Sequence, residues 1–76
     1  MDVQFTTSAH KHGATMENIL AVLNAVEPDV VTSEDGERVE LWWFGADDRG
    51  VELEIMGVER PDYLLVVHAM PLAYRQ

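Results

Sequence analysis

The chain has 76 residues and no cysteine, so neither a disulfide framework nor a thiolate metal site can hold it together. No apolar run approaches the roughly 20 residues that a membrane-spanning helix needs. Met1-Asp2-Val3-Gln4 lacks the basic stretch and apolar core of a signal peptide, which makes a cytoplasmic location the expectation. Positive charge is scarce: five basic residues stand against 14 acidic ones, a net charge of −9. Proteins that bind nucleic acid usually announce it with a basic patch or a basic domain, and neither is visible. The balance disfavours non-specific binding to phosphate backbones and suits a basic protein partner. No membrane partner is expected. There is also no internal repeat and no low-complexity tract. A chain this short makes one domain, 1–76, and buries only about 60% of the surface its unfolded form exposes. Its core is therefore modest, and packing or a partner must complete it; a homodimer would serve as well.

The residues present spell out an α+β chain. Val3-Gln4-Phe5 alternates as a short first strand. Ser8 suits the cap of one helical turn over Ala9–His12, which Gly13 would end in a left-handed conformation. Thr15 is a second N-cap, Glu17 suits the first turn of a helix, and Ile19, Leu20, Val22, Leu23 and Val26 follow at helical spacing. Pro28 stops that helix. Val30-Val31-Thr32 fits a strand or an extended connection, and Glu34–Glu37 a turn. Two alternating strands follow around Ala46–Gly50 as a hairpin: Val39, Leu41 and Trp43 share one face, as do Val51, Leu53 and Ile55. Arg60-Pro61-Asp62 is another turn. The continuous apolar run Tyr63–Met70 fits a central strand covered on both faces. The expected architecture is one main amphipathic helix, with a short helical turn before it, on an antiparallel sheet of three to four strands. The expected core is Phe5, Ile19, Leu20, Leu23, Val26, Val39, Leu41, Trp43, Val51, Leu53, Ile55, Leu65 and Val67.

Few residues carry chemistry. His12 suits a general base, and equally a helix-end histidine facing the dipole. Lys11 beside it suits a phosphate contact or plain solvent exposure. His10 and His12, two apart, do not share a helix face and have no third ligand near them, so no metal and no cofactor is expected. His68 lies in an apolar run, where a satisfied histidine and a catalytic one are both possible. Arg49 sits at a hairpin tip. Arg38 falls on the strand face of Glu40, Glu52 and Glu54, which suits a cross-strand ion pair; the three carboxylates suit a solvated face, and otherwise a metal or acid/base cluster. Trp42, Phe44 and Met56 share that face; large aromatics there need a cover or a partner to anchor.

Two separated segments carry a resemblance. The first holds Phe5, Ala9, Lys11, His12, Gly13 and Thr15; the second holds Arg38, Gly45, Arg49, Gly50, Glu59 and Arg60, followed by Leu64–Ala69. Together they resemble the pattern of BrnT-type toxins, the RelE-like ribonuclease halves of bacterial toxin–antitoxin pairs. The closing His68-Ala69-Met70-Pro71 is similar to that of short actinobacterial relatives. The resemblance implies a RelE-like fold, metal-free RNA cleavage and neutralisation by a small, basic, DNA-binding antitoxin. Carried over by position, Lys11, His12, Arg38 and Arg49 are the implied catalytic residues. The family's last strand ends in a basic Ser-Ala-Arg-Lys segment, whereas this one ends His68-Ala69-Met70-Pro71. His68 is the only titratable group left there. The chain is thus expected either to act through His68 or to be a non-catalytic interaction module that kept the fold, with Trp42, Phe44 and Met56 as its contact surface.

Overall fold

A computed structural model describes residues 2–75; Met1 and Gln76 lie outside the described residues. The elements run β1 (Asp2–Phe5), a 3-10 turn (Thr7–His10), α1 (Met16–Ala25), β2 (Asp29–Thr32), β3 (Val39–Ala46), β4 (Glu52–Glu59), β5 (Tyr63–Pro71) and a final 3-10 turn (Leu72–Tyr74). Helix α1 starts where its capping chemistry puts it. The Thr15 hydroxyl accepts from the Asn18 backbone N–H at 3.1 Å, and the Asn18 side chain accepts from the Thr15 N–H at 2.9 Å. Asn18 is buried and also donates to Asp48 Oδ1 at 2.7 Å, which ties the helix start to the β3–β4 hairpin. The first 3-10 turn begins earlier than expected: Thr6, not Ser8, precedes it, and no side chain caps it. Gly13, at φ 91, makes the left-handed exit that the sequence assigns to it.

The class is α+β, but the sheet differs from expectation. It has five strands in the order β1-β5-β4-β3-β2, and it is mixed, because β1 runs parallel to β5. The chain leaves β1 at one edge, crosses one face through the 3-10 turn and α1, and returns at the opposite edge as β2. The parallel pair joins Asp2–Phe5 to Tyr63–Val66, a pairing so distant in sequence that local patterning cannot reveal it. As expected of its apolar run, β5 lies inside the sheet.

The core lies between α1 and one sheet face. Ile19 and Val22 of α1 meet Trp43, Leu53, Ile55, Leu64, Val66 and Ala69, with Ala9 and Ala14 closing one side. Three expected core residues, Leu20, Leu65 and Val67, are only half-buried and lie outside the core cluster; on β5, Leu64, Val66 and Ala69 fill the core instead. An unbroken apolar run carries no phase, so alternation alone could not say which face each side chain would take. Val39, also expected in the core, is 41% exposed, since its strand neighbour is Thr32 of the edge strand β2.

Gly57 marks the tightest point of this layer. A Cβ there would meet Trp43 Cζ3, Leu64 Cδ1 and the Leu65 carbonyl oxygen, each at 3.2 Å. Side chains can shift, but the carbonyl belongs to the β4–β5 pair and cannot retreat far. Gly57→Ala should therefore destabilise the fold by about 1–3 kcal/mol, the usual cost of overpacking. Urea denaturation should show a lower midpoint at unchanged slope.

Candidate functional site

The face of the sheet away from α1 brings together Trp42, Phe44, Glu54, Met56 and His68. A bulge decides what stands there. Met56 pairs with His68, but the next residue, Gly57, pairs with Val66, so Val67 is an extra residue on β5. Leu64 and Val66 point to the core. Simple alternation would send His68 in after them. The extra residue turns His68 to the opposite face and returns Ala69, which is fully buried, to the core. Bulges often re-aim a side chain in this way next to working sites.

Beside His68 stand Glu54 and Met56 of β4 and Trp42 and Phe44 of β3, since Trp42 is paired with Met56 and Phe44 with Glu54. Glu54 is only 5% exposed. Its Oε2 lies 2.8 Å from His68 Nε2. A carboxylate oxygen accepts, so Nε2 carries the proton, and Nδ1 is left with no hydrogen-bond partner among the described residues. The other oxygen, Oε1, lies 2.7 Å from Arg75 Nε, but that N–H is not aimed at it, and Oε1 receives no hydrogen bond from the described residues. The Arg75 guanidinium sits 5.9 Å over the Phe44 ring, a cation–π contact. Phe44 stacks with Trp42 at 6.2 Å, and Trp42 lies 6.1 Å from the His68 ring.

His12 completes the cluster from outside the sheet. The segment after β1 runs along the part of β5 that β1 does not cover, and Thr6 N–H bonds to the Val66 carbonyl at 3.0 Å. It brings the His12 ring to 6.2 Å from His68 and 5.9 Å from Tyr74, edge-on to both. His10 turns the other way. Its Nδ1–H donates to the Ala14 carbonyl at 2.9 Å, and its ring lies 5.6 Å from Phe5. The two neighbouring histidines thus face different surroundings.

The residues singled out by sequence divide into two groups. His12, His68, Trp42, Phe44 and Met56 converge on this face. Lys11 is exposed beside His12. Arg38 and Arg49 stand apart, each held by a carboxylate. Arg38 pairs with Glu40, whose Oε1 accepts from Trp42 Nε1 at 3.2 Å. The Trp42 hydrogen bond, aided by Arg38, holds the Glu40 carboxyl below its ordinary value. Arg49 Nε and Nη2 both donate to Asp47 Oδ2, at 2.9 and 2.7 Å, within the β3–β4 turn.

Tyr74 and Arg75 carry no signal in the sequence, and Glu54 carries only a weak one. Pattern alone leaves Glu54 with Glu40 and Glu52, as a solvated face or an acid/base cluster, and gives no element to the short tail after Pro71. One clue existed: a histidine and a glutamate on adjacent strands can share a face. Choosing Glu54 over Glu52 needed the register. No family model, no curated protein and no solved structure matches this chain.

Proposed function

We propose that the chain is the toxin half of a toxin–antitoxin pair, a metal-free endoribonuclease neutralised by a partner protein. The convergence of His12 and His68, with Glu54 holding His68, is the observation that supports it. It adds to the resemblance to BrnT-type toxins carried by Phe5–Thr15 and Glu37–Ala69. The RelE-like fold implied by that resemblance belongs to the same proposal.

RNA can be cut by its own 2′-hydroxyl. That oxygen attacks the adjacent phosphorus, the bond from phosphorus to the 5′-oxygen breaks, and a 2′,3′-cyclic phosphate and a 5′-hydroxyl result. A base must take the 2′ proton, and an acid must give one to the departing oxygen. His68 suits the base, because Glu54 fixes its proton on Nε2 and leaves Nδ1 to accept. His12, 6.2 Å away ring to ring, suits the acid and is near enough to reach the same phosphodiester. Lys11 beside it supplies positive charge for the phosphorane. Trp42 and Phe44 offer faces on which bases can stack.

A second reading, a non-catalytic interaction module on the same fold, draws on a specific observation. Arg38, Arg49 and Arg75 are each paired with a carboxylate, so three of the five basic residues present little field to RNA. The deciding experiment incubates the purified chain with a short RNA at low ionic strength, where charge repulsion by the protein is screened least by salt but specific contacts are strongest. Cleavage to cyclic-phosphate ends, and growth arrest on expression that a co-expressed partner relieves, are the expected results. Intact RNA with folded protein would leave the interaction module.

A further inference from the structure

The edge strand β2 carries an unusual combination. It is the outer strand of the sheet, so among the described residues one side of its backbone has no strand partner. All four of its residues are exposed, with Val30 at 64% and Val31 at 47%. Val39, paired with Thr32 at the same edge, is 41% exposed. These three valines make up half of the six large hydrophobic residues that the described chain leaves exposed. Natural edges are commonly blunted with lysine, proline or a bulge. Asp29-Val30-Val31-Thr32 has none of these within it.

The surroundings say what could lie there. From Glu27 to Glu40 the chain has six carboxylates against one arginine, five of its nine excess negative charges. That arginine, Arg38, is already held by Glu40. A hollow of about 420 Å³ opens beside the strand, lined by Val31, Ser33, Asp35, Glu37, Arg38 and Glu40. Asp35 is fixed within it: the Ser33 hydroxyl donates to its Oδ1 at 2.6 Å and the Glu37 N–H at 3.0 Å. A second copy of this chain would bring an identical set of carboxylates to the same edge. An RNA backbone would be repelled for the same reason. A basic strand meets neither obstacle.

We propose that β2 is a strand-addition site for an extended, basic segment of a protein partner, with its apolar side chains covering Val30 on the face of Leu41 and its basic ones lying beside Val31 and Glu40 on the other. Main-chain hydrogen bonds to β2 would provide affinity, while the carboxylates would select for Lys and Arg and speed encounter. The edge is a different surface from the His12–His68 cluster, so a partner could dock here whether or not the chain cleaves RNA.

The test is an amide-resolved NMR titration of the whole chain with a capped peptide of alternating Lys and Val, seven residues long, beside its Glu–Val counterpart. Expected are shift changes centred on Asp29–Thr32 and the paired residues Val39–Trp42, with slowed amide exchange in β2. The Glu–Val peptide should bind at least tenfold more weakly. Val30→Lys with Val31→Lys should weaken the basic peptide at least tenfold while circular dichroism and any RNA cleavage stay as in the parent. Three results would overturn the proposal: shifts scattered over the acidic surface with no protection in β2, equal binding of both peptides, or self-association through β2 in the absence of peptide. RNA cleavage is scored separately, so loss of one reading leaves the other standing.

Discussion

His68→Ala should lower RNA cleavage by about 10²–10⁴-fold, the usual contribution of a positioned general base. Glu54→Gln should lower it too, for a subtler reason. Glutamine has nearly the shape of glutamate, but it can turn its amide NH₂ toward His68 Nε2. The histidine would then accept at Nε2 and carry its proton on Nδ1, the nitrogen needed as the base. A positioning role predicts that kcat falls while KM for a short RNA barely moves, since Glu54 is buried and would act only through His68. A purely structural role predicts a loss that tracks the fraction unfolded, which a thermal melt of the same sample measures. His12→Ala should slow substrates with a poor leaving group most, because an acid matters least when the departing oxygen needs no proton. If the parent cleaves and both the His68 and Glu54 variants match its rate, the roles assigned to this pair are wrong.

The legible part of this fold was the part set by local pattern. Thr15 follows from capping chemistry, while the α1 stripe, the β3–β4 hairpin and the convergence of Trp42, Phe44 and Met56 on one face follow from spacing of 3.6 or 2. What the sequence concealed lies in β5. Tyr63–Met70 is apolar almost throughout, and alternation says nothing when both phases are filled. The bulge at Val67 then reverses the phase midway, so Leu65 and Val67 gave way to Leu64, Val66 and Ala69 in the core. The same reversal carries His68 to the face of Glu54. A histidine in an apolar run looked ambiguous because its direction depends on a single extra residue. The β1–β5 pairing was hidden for another reason: it is parallel and joins the two ends of the chain, where no hairpin turn marks it. Arg38 and Arg49 show the converse limit. Their residue type suits a phosphate contact, yet each has an acid two residues away on its own chain, Glu40 and Asp47, and the local partner takes it.

Asp47→Ala should cost a large part of the stability of this small fold. The Asp47 carboxylate is fully buried as a side chain and accepts four hydrogen bonds. Oδ1 takes the backbone N–H groups of Arg49 and Val51 at 2.8 and 3.0 Å, and Oδ2 takes two guanidinium donors of Arg49. It thereby shapes the turn that Gly50, at φ 82, closes between β3 and β4. Alanine would remove the acceptors and leave these donors to water, at a cost of about 2–4 kcal/mol. For a chain of this size that lowers Tm by roughly 10–20 °C. The effect should also depend on pH with a definite sign. Burial pushes the Asp47 carboxyl up, but the bonds from Arg49 and from the Val51 and Arg49 N–H groups outweigh it and hold the folded value below the ordinary 3.8. A carboxyl whose folded value is depressed adds stability that is fully present above the unfolded value and is lost as pH falls through the folded one. The gap in unfolding free energy between parent and Asp47→Ala should therefore be widest near neutral pH and start to narrow as pH drops below about 4. Asp47→Asn, which keeps one oxygen for the backbone donors but loses the charge facing Arg49, should fall between the two. A gap that stays constant from neutral pH down to pH values well under that range would show that the charge of Asp47 adds nothing and that only the shape of the turn matters.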